Sequence, residues 1–160
     1  YEKFSHGIFD RHPDAQFYDY SKNASRVGNP SNPKNLHVSL SHTGTGHAES
    51  NDKQVVKALE AGHVVASVFH RGKDTPKATH LEDVSTGKRY PIVNGDDDDN
   101  TFDRHAAAGL TEGHKGHGVV SGLQLKGVSN AAAGHFANKV DPDGIVRINK
   151  PADRQPNEVF

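Results

Sequence analysis

The chain has 160 residues, a formal net charge of −1 and 12 histidines, and it lacks cysteine, methionine and tryptophan. This length suits one domain, and the absence of cysteine excludes disulfides, thiolate metal sites and a cysteine nucleophile. Leucine, isoleucine, valine and phenylalanine make up about a fifth of the residues, so we expect a small core. The near-neutral net charge argues against disorder. It also gives no indication of a general electrostatic affinity for nucleic acid or for an anionic membrane.

The amino-terminal residues predict a short helix followed by a strand. Phe4, Ile8 and Phe9 recur at helical spacing, and Pro13 disfavours helix in the residue before it, so we predict a helix that ends near Arg11. Residues 16–20 are rich in aromatic side chains and predict a strand. Residues 21–35 have the asparagine, proline and glycine content of a loop.

The clearest pattern in the chain is the strict alternation of residues 36–41. Leucine and valine alternate there with three polar residues, His37, Ser39 and Ser41. A period of two predicts a half-buried strand with one polar face.

A helix and a second strand follow this strand. Asn51 and Gln54 have the spacing of a capping box, and Gly62 offers the left-handed residue that ends a helix. Residues 64–69 are short, apolar and β-branched, which favours a buried strand. The sequence therefore predicts a strand–helix–strand unit.

The rest of the chain is predicted to be mostly β. Residues 81–84 and 89–93 form a predicted hairpin with Gly87 in its turn, 94–100 an acidic turn, and 119–126 and 145–148 two strands. We therefore predict a mixed α/β fold, with one domain over residues 1–150 and a polar tail over 151–160.

Four consecutive aspartates, Asp96 to Asp99, are the most unusual local feature, and Asp103 and His105 follow closely. Because adjacent carboxylates repel one another, water, basic groups or a hard cation must screen them. Mg²⁺ or Mn²⁺ needs only one or two protein carboxylates, so Asp96, Asp99 and Asp103 are candidate metal ligands. The alternative is a solvated hairpin tip.

The histidines give a weaker indication of metal binding. His37, His42 and His47 recur every five residues, which places them on no common face of a strand or helix. A zinc or copper site would require folding to bring His114 and His117 together with His105 or His135. The alternative is that most of the imidazoles are surface groups or satisfy local hydrogen bonds.

Two further motifs point to catalysis or phosphate binding without completing a known pattern. His37 and Ser39 share a strand face and could exchange a proton, but no Gly-x-Ser-x-Gly elbow is present to indicate a serine hydrolase. The Thr-Gly-Thr-Gly loop at 43–46 precedes a predicted helix, yet it lacks the Gly-Lys-Ser/Thr of a P-loop. Ordinary turn chemistry also explains this loop.

An aromatic and basic segment at residues 17–22 contains Tyr18, Tyr20 and Lys22, with Arg26 and Lys34 nearby. Rings that stack on bases, next to cations that contact phosphates, are typical of surfaces that bind nucleotides or single-stranded nucleic acid. The same residues also suit core aromatics with neighbouring lysines whose stems cover them.

The order of these segments resembles a group of conserved phage and bacterial proteins. The resemblance spans about residues 14–137. It is carried by Phe-Tyr-Asp-Tyr-Ser-Lys at 17–22, the Asn-x-His strand at 35–41, the helix and strand at 55–69, the Gly-Asp turn at 95–99 and Val-x-Gly-Leu-x-x-Lys-Gly at 120–127. The chain departs from the group at Asn100 and Thr101, where an arginine is expected. The resemblance implies one domain of phage-like or bacterial origin and no particular reaction.

The first functional hypothesis is a protein that binds or hydrolyses a phosphate-containing ligand, a nucleotide or nucleic acid. Tyr18, Tyr20, Lys22 and Ser39 would contact the ligand, His37 would act as acid or base, and the aspartates would hold Mg²⁺ or Mn²⁺.

The second hypothesis is a structural or assembly component, such as an oligomeric virion or exported protein, and the third is a histidine-based transition-metal binder. A start at Tyr1 suits a processed protein. The longest apolar run falls short of a membrane helix, and the composition is compatible with a cytoplasmic or an extracellular location.

Overall fold

A computed structural model describes residues 7–44, 50–70, 72–97, 104–110, 116–127, 129–133 and 136–150. It confirms one small mixed α/β domain built on a seven-stranded sheet. The predicted tail at 151–160 lies outside the described residues.

Seven strands and four helices form the described domain. The helices are α1 (Ile8–Arg11), α2 (Asp52–Glu60), α3 (Arg104–Ala107) and α4 (Asn130–Ala133), with a 3₁₀ turn at Ala24–Arg26. The strands are β1 (Phe17–Ser21), β2 (Leu36–Ser41), β3 (Val64–Phe69), β4 (His80–Asp83), β5 (Lys88–Asn94), β6 (Val119–Gln124) and β7 (Ile145–Ile148).

The strand order is β1-β2-β3-β6-β5-β4-β7. The first five strands of that order are parallel, whereas β4 pairs antiparallel with β5 and parallel with β7. Strands β1 to β3 are neighbours in the sheet, and β4 and β5 lie on its other side. Strand β6 lies between β5 and β3, so the strand numbers rise from β1 to β3 across the sheet and then fall from β6 to β4.

The strand–helix–strand unit is confirmed as β2–α2–β3, with parallel pairing of Leu40 to Val65. Val55 and Leu59 of α2 are fully buried and pack in the main core, which also contains Leu40, Val65 and Val120. Leu40 pairs with Val65 and Val65 pairs with Val120, so the three side chains project from the same face of the sheet. Helix α2 therefore covers the centre of the sheet on that face.

Local turn chemistry accounts for several other boundaries. Gly62, at a φ of 82°, follows the end of α2, and Gly87, at a φ of 70°, lies in the β4–β5 turn. Both residues adopt the left-handed backbone that glycine accepts without a steric penalty. Asp141 accepts a 2.9 Å hydrogen bond from the Gly144 amide, which closes the predicted turn before β7.

Two sequence predictions are wrong. The capping box is absent, because the Asn51 side chain does not cap α2. Its Oδ1 accepts a hydrogen bond of 2.9 Å from the Thr43 amide, and its Nδ2 donates one of 3.0 Å to the Ser41 carbonyl. Asn51 therefore ties the two ends of the β2–α2 connection together.

Strand β2 is also not half-buried with a solvent-facing polar side. Ser39 is fully buried and His37 and Ser41 are partly buried, although they belong to the predicted polar face. Alternation of polar residues distinguishes two faces, but it does not show whether the remainder of the chain covers the second one.

Candidate functional site

The register of β1 and β2 brings four predicted site residues together. Tyr18 pairs with His37 and Tyr20 pairs with Ser39 in this parallel ladder. Paired residues of neighbouring strands project from the same side of a sheet, so all four lie on one face, which we call the tyrosine–histidine face. Lys22 directly follows β1 and is exposed.

The two tyrosine rings form a small aromatic surface. Their centroids are 5.8 Å apart at an interplanar angle of 69°, an edge-to-face contact. Tyr18 is 43% exposed, and Tyr20 is partly buried. Ser39, in contrast, is completely buried, and its hydroxyl has no hydrogen-bond partner in the described part of the chain. An external ligand can therefore reach the tyrosines and not Ser39.

His37 is held in its neutral form. Burial lowers its pKa below the ordinary 6.5, and the nearby imidazoles of His105 and His63 lower it further. The pKa of His63 is lowered by burial and by His105 as well. A neutral imidazole on this face can donate one hydrogen bond and accept another, and it carries no charge to attract a phosphate.

The acidic turn lies far from the tyrosine–histidine face. The strand register aligns one residue from each of β2, β3, β6 and β5, namely Leu40, Val65, Val120 and Ile92. His37 lies three residues before Leu40 on β2. Asp96 lies four residues after Ile92, and the β5 strand that contains Ile92 is the third strand from β2 in the sheet. With strands about 4.8 Å apart and about 3.3 Å per residue along each strand, His37 and Asp96 are separated by more than about 20 Å. One metal-bound substrate cannot contact both residues.

Asp96 already has protein partners. Its Oδ2 accepts a hydrogen bond of 2.7 Å from the Gln124 amide, and its Oδ1 lies 2.7 Å from Lys126 Nζ. Asp99 and Asp103, the other two predicted metal ligands, lie outside the described residues. Within the ranges that the structure describes, no three histidine or acidic side chains are grouped so that they could hold a metal ion.

A buried polar network that sequence analysis missed joins β2, β3 and α2. His42 Nε2 lies 2.8 Å from Asp52 Oδ1, and His42 Nδ1 lies 3.0 Å from Ser67 Oγ. Asn138 Nδ2 donates to Ser67 Oγ at 2.8 Å. The composition is that of a serine–histidine–aspartate triad, but Ser67 is only 1% exposed, so no substrate can reach it. This network is structural.

A cavity of about 370 Å³ lies at the carboxyl ends of β3, β5 and β6. Phe69, Ile92, Leu123 and Val140 supply apolar walls, and His70 and Gln124 are among its polar lining residues. In open sheets with mostly parallel strands, ligands bind outside the carboxyl ends, where the strand order changes direction. The cavity occupies that place, beside the junction of β3 with β6.

A protein-family model described as Gene product 88 matches residues 3–140, which is most of the chain. The chain belongs to the Gene product 88 family. The match confirms the resemblance at the level of a phage-type family. No curated protein and no solved structure matches the chain. Membership in the Gene product 88 family therefore supplies no reaction, and functional argument rests on the geometry above.

The helices in the described ranges are too short or too polar to span a membrane. This agrees with the absence of a long apolar run in the sequence.

Proposed function

We propose that this member of the Gene product 88 family binds a nucleotide or single-stranded nucleic acid on the tyrosine–histidine face. The observation that carries the proposal is the register of β1 and β2, which places Tyr18 and Tyr20 beside His37 on one side of the sheet. Aromatic rings on a sheet surface bind bases by stacking, and this mode tolerates many base sequences.

Stacking is provided mainly by Tyr18, the more exposed of the two rings. Tyr20 contacts it edge-to-face and limits the orientations that the Tyr18 ring adopts. His37, kept neutral by its lowered pKa, offers hydrogen bonds to the edge of a stacked base.

Phosphate contacts come from two lysines at opposite ends of the paired strands. Lys22 follows the carboxyl end of β1, and Lys34 precedes the amino end of β2; both are exposed and neither forms an ion pair within the described residues. Arg26 differs, because it is paired with Asp19 at 2.8 Å. Two available cations predict a modest dependence of affinity on salt concentration.

The proposal does not include hydrolysis. Metal-assisted phosphoester cleavage would require a phosphate within reach of both His37 and the cation, and the strand register separates His37 from Asp96. A cation on the acidic turn is thus a separate proposal, in which Mg²⁺ or Mn²⁺ replaces Lys126 at Asp96.

Fluorescence anisotropy with labelled oligothymidylate and oligouridylate of increasing length tests the proposal. Stacking contributes about 1–3 kcal/mol per base, so Tyr18→Ala should weaken binding roughly 5- to 150-fold. Phe136→Ala is the matched control, because Phe136 is an aromatic residue that is 50% exposed and outside this face. Equal losses in the two variants would contradict the proposal.

The same experiment separates the alternative of a structural or assembly component. Wild-type protein that binds no oligonucleotide or mononucleotide at low salt, and that forms a specific oligomer by native mass spectrometry, would support assembly and overturn the proposed binding. Binding that does not increase with oligonucleotide length would restrict the ligand to a nucleotide.

A further inference from the structure

The cavity at the carboxyl ends of β3, β5 and β6 shares no lining residue with the tyrosine–histidine face. We propose that it binds a small organic anion with an aromatic or apolar body. Its volume of about 370 Å³ falls within the range of small-molecule sites in proteins.

The cavity has apolar walls that suit the body of such a ligand. Phe69 is 5% exposed and packs with Val140 in the main core, and Ile92 packs against that core from β5. Gly122 also lines the cavity, and a Cβ at that position would press against Ile92 and the Phe69 ring. The glycine therefore keeps the wall open where two large side chains meet.

An unsatisfied imidazole nitrogen points to a ligand with a hydrogen-bonding edge. His70 lines the cavity, and its Nε2 atom is buried without a hydrogen-bond partner in the described structure. The backbone of His70 is fixed, because its amide donates to the Asn138 carbonyl at 2.9 Å. Buried polar atoms are nearly always paired in folded proteins, so the proposal requires that ligand binding turn the imidazole and give this nitrogen its partner.

Lysines line this cavity and an adjoining one, and they favour an anion. Lys77 lines this cavity, and Lys73 and Lys139 line an adjoining cavity of about 590 Å³ that shares His70 and Val140 with it. None of the three lysines forms an ion pair within the part of the chain that the structure describes.

Two acidic residues also line the adjoining cavity, Asp74 and Asp141. Asp141 shares the Arg147 guanidinium with Asp143 and Glu82. Three lysines and two aspartates line the two cavities, so the charge of the lining residues is positive by one. A carboxylate or a phosphate on the ligand fits this environment.

Isothermal titration calorimetry with adenosine monophosphate and with 4-hydroxybenzoate tests the inference, with adenosine and inorganic phosphate as the two halves of the first probe. We expect the two aromatic anions to bind and each half to bind at least about fivefold more weakly, because the charge and the apolar body both contribute. Binding of inorganic phosphate as tight as that of adenosine monophosphate would overturn the apolar part of the site.

Three variants locate the binding in the cavity, each with a matched control elsewhere on the surface. His70→Leu removes the free nitrogen, Lys77→Gln removes one charge, and Ala78→Leu fills part of the cavity. Each should weaken binding about fivefold or more. The controls are His80→Leu, Lys53→Gln and Ala107→Leu, three exposed positions that should leave affinity unchanged.

The outcomes distinguish this site from the proposed function. Loss of adenosine monophosphate binding in Tyr18→Ala, with unchanged binding in the three cavity variants, would assign the ligand to the tyrosine–histidine face and overturn the cavity proposal. Failure of both aromatic anions to bind folded wild-type protein at millimolar concentration would also overturn it. Ala78→Leu retains the core residues, so it remains informative if His70→Leu unfolds.

Discussion

His42 Nε2 donates a hydrogen bond of 2.8 Å to Asp52 Oδ1, which links the residue that follows β2 to the first turn of α2. Burial alone would raise the pKa of Asp52, but hydrogen bonds from His42 and Ser50 outweigh it and hold the pKa below the ordinary 3.8. Because an ionised carboxylate only accepts hydrogen bonds, Nε2 carries the proton and Nδ1 accepts from Ser67.

Removal of His42 should destabilise the protein strongly. His42→Ala removes one hydrogen-bond partner from the carboxylate of Asp52 and one from the buried hydroxyl of Ser67. Breaking a buried network of this kind costs about 3 kcal/mol in the free energy of unfolding. Urea denaturation at pH 7 measures this loss, and His80→Ala on the exposed side of β4 is the control. A loss below about 1 kcal/mol would show that the network is not a main stabilising element.

The protein should lose stability when the pH falls below about 6.5. The pKa values of His37 and His63 are lowered in the folded state, so the unfolded chain binds protons that the folded chain does not. The stabilisation is complete above the unfolded pKa of 6.5 and decreases as the pH falls from there toward the lowered folded values. Melting temperatures between pH 8 and pH 5 measure this effect.

His105→Gln tests the cause of that acid sensitivity. The variant removes an imidazole that lowers the pKa of both His37 and His63, so the melting temperature should depend less steeply on pH than in the wild type. His12→Gln, at an exposed position beyond α1, should leave the slope unchanged. Identical slopes in all three proteins would contradict the assignment.

Gly28→Ala should destabilise the protein more than Gly87→Ala. Both glycines have left-handed backbones, at φ of 63° and 70°, so alanine is strained by roughly 1 kcal/mol at either position. At Gly28 the new Cβ would also collide with the His63 ring, whereas the space around Gly87 is open. Thermal denaturation of the two variants gives the difference, and His63→Ala in the Gly28→Ala background should abolish it.

Mg²⁺ or Mn²⁺ should bind weakly at the acidic turn. Lys126 occupies Asp96 Oδ1, so a cation has to displace it, and Lys126→Ala should tighten binding. Paramagnetic broadening of amide signals by Mn²⁺ measures this, with Asp96→Ala/Asp99→Ala as the variant that loses it and Asp74→Ala as the control. If the double variant shows the same broadening as the wild type, the acidic turn does not bind the cation and is a solvated loop.

Patterns that depend on neighbouring residues could be predicted from the sequence. The alternation at 36–41 gives the exact bounds of β2, and the glycine at 87 marks the turn between β4 and β5. The sheet pairs Tyr18 with His37, two residues that the sequence assigns to one ligand surface.

Patterns that depend on distant residues could not be predicted. The position of β6 between β3 and β5 is set by long-range packing, and with it the location of the cavity. His42 appeared in the sequence only as one of three evenly spaced histidines, because its partners Ser67 and Asn138 are brought to it by the sheet. The separation of His37 from Asp96 likewise depends on the strand order.

The contact between His42 and Asn138 spans 96 residues, and it has a consequence for how the chain folds. Strands β1 to β3 and α2 can associate early, because they are close in sequence, but the imidazole among them gains its last partner only when the far end of the domain arrives. Mixed α/β domains with such distant pairings fold more slowly than helical bundles. The polar interior of the first half of the sheet is therefore complete only when the segment that contains Asn138 has packed against it.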